Sequence, residues 1–195
     1  TKFHNNALQN IFEANEFIND FAILSPMNND PNYPNYKISG VNKNINENII
    51  SVDYVDGFSM LINKEKFKDE DFFDESFFLY LENTDLCLRT KKRGQNIFII
   101  KNSFIDHAGA GSIVSKDLEY LRNWHWMWSK FYFNKKHYGY FYAFLKIISN
   151  LVSAIFKYVF YLILFNSHKK KIYLMRLCGL YNSIIGKKSW FRIND

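Results

Sequence analysis

Leu8, Ile11, Phe12 and Ile18 recur at helical spacing through residues 5–18, and the apolar run Phe21-Ala22-Ile23-Leu24 follows, closed by Ser25-Pro26. This pattern predicts a helix feeding a buried strand. Residues 28–48 are crowded with Asn and carry Pro31 and Pro34, so they read as an exposed loop with one short strand near 36–38. Residues 49–55 and 58–62 read as strands on either side of Asp56-Gly57, where a glycine permits a bulge or a close backbone approach.

The acidic and aromatic stretch 69–80 leads into Leu81-Glu82-Asn83-Thr84-Asp85-Leu86-Cys87-Leu88-Arg89. Asn83 or Thr84 is the predicted N-cap, and Lys91-Lys92-Arg93-Gly94 is a basic last turn with a glycine stop. Residues 96–100 read as a buried strand, and Phe104-Ile105-Asp106-His107 leads into Ala108-Gly109-Ala110-Gly111-Ser112. Strands alternating with helical crossovers predict an α/β fold with a mixed sheet. From Lys116 to the end the pattern is helical. Within 139–167 the polar residues Lys146, Asn150, Ser153 and Lys157 form one narrow stripe on an otherwise apolar and aromatic cylinder. A spanning helix wants roughly 20 predominantly apolar residues, and a lysine near its middle costs about 2.5–3.5 kcal/mol. The stripe therefore predicts an amphipathic helix lying in a membrane interface.

Charge changes the picture of the tail. Of a formal +6, residues 1–138 carry 16 Lys+Arg against 18 Asp+Glu, whereas 139–195 carry 9 against Asp195 alone. Basic residues among dense Phe, Tyr, Leu and Ile point to an anionic membrane surface and away from nucleic acid. The chain is therefore divided at 138/139 into an α/β part and a basic, membrane-associating helical tail. With 19% aromatic residues, 3 Pro and 8 Gly it is no disordered or collagenous chain. Cys87 and Cys178 are too few for a disulfide framework or a four-thiolate zinc site, which fits a reducing compartment. No apolar run of secretory type opens the sequence, and the start at Thr1 is expected to be internal to a longer protein.

The order Val52-Asp53-Tyr54-Val55-Asp56-Gly57-Phe58, then 73–89, Gly94, and His107 before Gly109 and Ser112, resembles the second half of family 2 glycosyltransferases, nearest to the rhamnosyltransferase-like branch of bacterial surface polysaccharide synthesis. The resemblance covers residues 1–140. It implies a partial GT-A-type mixed sheet, the acceptor-side half, followed by C-terminal amphipathic helices. It also implies inverting, metal-dependent transfer from a nucleotide-sugar donor to a lipid-linked or nascent polysaccharide acceptor, at the cytoplasmic face of the inner membrane. On this likeness Asp56, Gly57 and Asn83 contact donor or acceptor, the carboxylates at the helix start hold the base, and His107 contributes to a Mg²⁺ or Mn²⁺ site.

Such a transfer needs a carboxylate to deprotonate the acceptor hydroxyl while a nucleoside diphosphate leaves, and a divalent metal to balance charge on the diphosphate. The chain departs from the family in two places. The usual Glu-Asp pair stands here as Glu82-Asn83, and a neutral amide cannot take a proton. The role passes to Asp85 or Glu82, with Asp85 preferred because the first helical turn positions it better. The upstream metal motif is also missing, and Asp69-Glu70-Asp71 reads as a solvated loop. Trp124, Trp126 and Trp128 read as packing residues, and Cys87, between Leu86 and Leu88, as an inert buried thiol. The rival reading is a non-catalytic, membrane-docked glycosyltransferase-like module in which Asn83 marks lost chemistry.

Overall fold

The computed structural model describes all residues except 19, 40–42, 69–70, 108–114 and 194–195. The chain forms two compact units. Thr1–Asp74 with Asn83–Gly111 make a mixed α/β unit, and Glu75–Glu82 with Ser112–Asp195 make a helical one.

The elements of the first unit are β1 (Lys2–Phe3), α1 (Ala7–Phe17), β2 (Ile23–Asn28), β3 (Tyr36–Lys37), β4 (Lys43–Asn44), β5 (Ile49–Val52), β6 (Tyr54–Val55), β7 (Leu61–Ile62), a single 3₁₀ turn (Lys64–Phe67), α2 (Glu82–Lys92) and β8 (Ile97–Asp106). The main sheet runs β4-β5-β8-β2-β7, with β1 added at the far end of β8; β3 and β6 form a separate antiparallel pair. β2 and β8 are parallel and the other pairings antiparallel. The sheet is mixed because a helical crossover connects its two central strands.

Side-chain alternation divides the core between the two faces of this sheet. Leu24, Phe98 and Ile100 pack with Ile11, Ala14 and Ile18, most of them from α1. Ile23, Ile97 and Ile99 pack with Leu86 and Cys87 of α2. The α/β class read from the sequence therefore holds as a three-layer arrangement.

Three elements differ from the sequence reading. β2 continues past Pro26 to Asn28, because β7 pairs only with Ile23 and Leu24 and a register shift between Pro26 and Met27 absorbs the missing N–H. Residues 96–100 and 104–107 are joined in one long strand, β8, through Lys101-Asn102-Ser103. Ser103 is buried there, its hydroxyl donating to the Ala7 carbonyl at 2.8 Å, so a polar residue interrupts the apolar pattern without ending the strand. On α1, Leu8 and Phe12 are exposed although they share the helical period of Ile11.

The helical unit holds α3 (Lys116–Tyr138), α4 (Tyr140–Ile163) and α5 (Ser167–Ile184). Ser115 caps α3 by accepting from the Leu118 N–H at 3.1 Å, and Asn166 caps α5 by accepting from the Lys169 N–H at 3.0 Å. Met127, Phe131, Ala143, Ile147 and Leu180 form the bundle core. Gly179 lets α5 approach α3: a Cβ there would lie 2.1 Å from the Trp124 carbonyl oxygen. Because α3 belongs to this bundle, the packing divides the chain near 111/112, with Glu75–Glu82 also on the helical side, whereas the charge partition divides it at 138/139. Among the described residues α4 is the one helix long and apolar enough to cross a membrane.

Candidate functional site

The turn that follows β6 is the centre of the first unit's chemistry. Strand alternation sends Val55 into the core and leaves Tyr54 and Asp56 half-buried on the other side, where the Tyr54 hydroxyl donates to Asp56 Oδ1 at 2.5 Å. Asn83 Nδ2 donates to the Tyr54 hydroxyl at 2.8 Å and to the Val55 carbonyl at 3.1 Å. The Val55 carbonyl can only accept, so the nitrogen of the amide must face it. Burial first, and then the Asp56 carboxylate, push the Tyr54 pKa well above the usual tyrosine range. Gly57 completes the fit. A Cβ on it would come within 3.1 Å of Asn83 Cβ, tighter than side chains ordinarily pack.

α2 begins at Glu82, ahead of the predicted caps Asn83 and Thr84, both of which lie within the helix. Tyr80 and Leu81 enter it with φ of 70° and 69°, an unusual conformation for residues with side chains. The two candidate bases then differ sharply. Asp85 has no exposed surface, and Arg89 Nε donates to it at 2.8 Å. The same guanidinium donates to the main-chain carbonyls of Asp71 at 3.3 Å and Phe72 at 2.6 Å. The pair thus ties α2 to the preceding segment, and its carboxylate offers no surface for an acceptor hydroxyl to touch. Glu82 is half-buried, and its Oε2, itself buried, has no hydrogen-bond partner among the described residues.

His107 follows directly on β8. Its ring stacks on Phe58 with centroids 4.1 Å apart, its Nδ1 lies 2.8 Å from the Thr1 hydroxyl, and its N–H donates to Asn28 Oδ1 at 3.2 Å. One short turn therefore meets two distant pieces of chain, with Gly57 against Asn83 and Phe58 against His107. That brings Asp56, Gly57, Asn83 and His107 together within the first unit. Among the described residues no three His, Cys, Asp or Glu side chains gather as metal ligands. His107 is the residue that the sequence assigned to a Mg²⁺ or Mn²⁺ site, and residues 108–114, which follow it, lie outside the described ones. Asp69 and Glu70 of the acidic stretch, and Gly109 and Ser112 of the motif, lie outside the described residues.

Sequence reasoning missed Tyr54, Phe58 and Arg89. Arg89 carried a signal, standing four residues after Asp85 on a helix; Tyr54 and Phe58 stood in the motif around Asp56-Gly57 without a role of their own. Trp124 and Trp128 are buried, as packing residues should be, and Trp126 is partly exposed, edge-on to Tyr80. A cavity of about 250 Å³ lined by Ser39, Ser51, Asp53, Lys91 and Asn96 among others includes none of the predicted site residues. In comparisons with known proteins, no family model, no curated protein and no solved structure matches the chain.

Proposed function

We propose that the chain is the acceptor-side part of an inverting glycosyltransferase of GT-A type. The observation that supports this most is the turn Asp56-Gly57-Phe58, which contacts both the first turn of α2 and His107. Residue types suited to sugar transfer are brought together there from three remote stretches of sequence. In this reading Glu82 is the general base, because it is the carboxylate at the helix start whose oxygen is not consumed by an ion pair. A carboxylate there is a group able to accept the acceptor's proton. Asp56, held by the Tyr54 hydroxyl, orients a sugar hydroxyl, and Asn83 fixes the turn. The donor is a nucleotide sugar, and the acceptor a lipid-linked or nascent polysaccharide at the cytoplasmic face of the inner membrane. His107 would supply one ligand to the divalent metal that would neutralise the diphosphate.

One observation favours the second reading, a glycosyltransferase-like module without catalysis. Asn83 stands where the family that the sequence resembles carries the base, and its amide is spent on the Tyr54 hydroxyl and the Val55 carbonyl. Product formation decides between them. The protein carrying this chain is assayed for transfer from a panel of nucleotide sugars, with Mg²⁺ or Mn²⁺, to lipid-linked saccharide acceptors. Transfer that Glu82→Gln abolishes supports the enzyme; no transfer from any donor supports the module.

A further inference from the structure

We propose that the outer face of α4 docks into one leaflet of an anionic bilayer, the helix lying in the plane of the membrane. This proposal rests on the helical unit alone and stands or falls apart from the sugar-transfer reading.

At about 100° per residue, an α-helix places Ala143, Ile147 and Ala154 on one side, and these are the α4 residues buried against the bundle. Phe141, Leu145, Val152, Phe156, Val159 and Ile163 fall on the opposite side, and each is between 46% and 75% exposed. A contiguous stripe of large apolar side chains along 24 residues is not a surface that water leaves alone. The sequence alone placed Lys146, Asn150, Ser153 and Lys157 in a single polar edge. The bundle splits that edge: Asn150 faces inward, its Oδ1 accepting from Lys130 Nζ at 2.8 Å. Lys146 sits over the Tyr142 ring at 5.4 Å and Lys157 over the Tyr173 ring at 5.5 Å, so both ammonium groups are kept at the border between the apolar stripe and the bundle.

Charge complementarity selects the occupant. Residues 120–194 contain thirteen Lys or Arg and not one Asp or Glu. Two copies meeting through α4 would bring only like charges together, whereas a surface of lipid phosphates supplies the missing anions. Packing selects the orientation. α5 lies along α4, with Tyr173 stacked on Tyr161 and Lys169 over the Tyr161 ring. If α4 crossed the bilayer, Lys146, Lys157 and Arg176, midway along α5, would be drawn towards hydrocarbon with it. In the plane of one leaflet the stripe is immersed while Lys146 and Lys157 stay at the headgroups.

The 195-residue chain is floated with vesicles of phosphatidylcholine alone or mixed with phosphatidylglycerol, at low and high salt. The proposal expects binding about tenfold or more stronger on the anionic vesicles, weakened by salt and released by alkaline carbonate. Val152→Glu with Phe156→Glu should lower binding by about tenfold or more with the near-UV circular dichroism unchanged, and the pair Val152→Ser and Phe156→Ser serves if the charged variant does not fold. Lys146→Gln with Lys157→Gln should reduce the preference for anionic lipid. Carbonate-resistant binding without that preference would mean a spanning helix. A solution dimer that the α4 variants convert to monomer, with no vesicle binding, would mean a second copy. Either result overturns the proposal.

Discussion

The side-chain amide of Asn83 donates to the main-chain carbonyl of Val55, 28 residues earlier, at 3.1 Å. One side chain thus joins the start of α2 to the end of β6, and Gly57 leaves the room for it. Asn83→Asp would set a carboxylate against that carbonyl and close to Asp56. Leaving a buried acceptor unsatisfied costs about 1–3 kcal/mol, so the variant should unfold at lower urea than the parent, without gain of activity. Unchanged stability together with increased sugar transfer would show that the position still belongs to a base.

Asp85 and Arg89 make a different prediction. Asp85 is wholly buried and the Arg89 side chain is 18% exposed, and removing one partner of a buried pair costs up to about 3–5 kcal/mol because the other charge loses its counter-ion. Asp85→Asn and Arg89→Ala should each lower the melting temperature strongly, and the double variant should lose less than the sum of the two. A well-folded Asp85→Asn protein with a selective loss of turnover would instead return Asp85 to the chemistry.

His125 gives the helical unit a pH dependence. Its Nε2–H donates to the Phe191 carbonyl at 2.8 Å and its Nδ1 lies 2.9 Å from the Ser189 hydroxyl, in a fully buried position that favours the neutral ring. Burial, aided by Arg192, pulls its pKa down from 6.5 to about 4. Between those values the unfolded chain binds the proton and the folded one does not, so stability rises with pH across the window. The contribution is complete above about pH 6.5 and is lost progressively towards about pH 4. It amounts to about 3 kcal/mol at most, since each pKa unit corresponds to about 1.4 kcal/mol. Melting temperatures of the parent and of His125→Asn across this range should show the slope in the parent and its loss in the variant.

What could be read from the sequence follows from the range of the interactions. Residues 97–100 displayed a buried strand, because a short unbroken apolar run is a local signal. Gly94, with φ of 72°, ended α2 where its basic last turn predicted. Leu8 and Phe12 misled, since the same helical period marks residues that the sheet does not cover. Glu75–Glu82 joins the helical unit through Phe77 on Tyr132, Phe78 on His125 and a hydrogen bond from the Ser129 hydroxyl to the Leu79 carbonyl. Those contacts reach some fifty positions along the chain, and nothing in the local pattern announces them. Among candidate bases, spacing alone could not separate Glu82 from Asp85. The ion pair marks a difference between them: Arg89 engages Asp85, while Glu82 Oε2 has no hydrogen-bond partner.

The central claim is that carboxylate chemistry at the start of α2 transfers sugar. Its most direct test is the turnover of Glu82→Gln beside the parent, in the protein that carries this chain, with nucleotide-sugar donor and lipid-linked acceptor both saturating. Loss of a general base predicts a fall of about 10²–10⁴ in turnover with little change in donor KM and an unaltered melting temperature. Turnover within a few-fold of the parent would contradict the account.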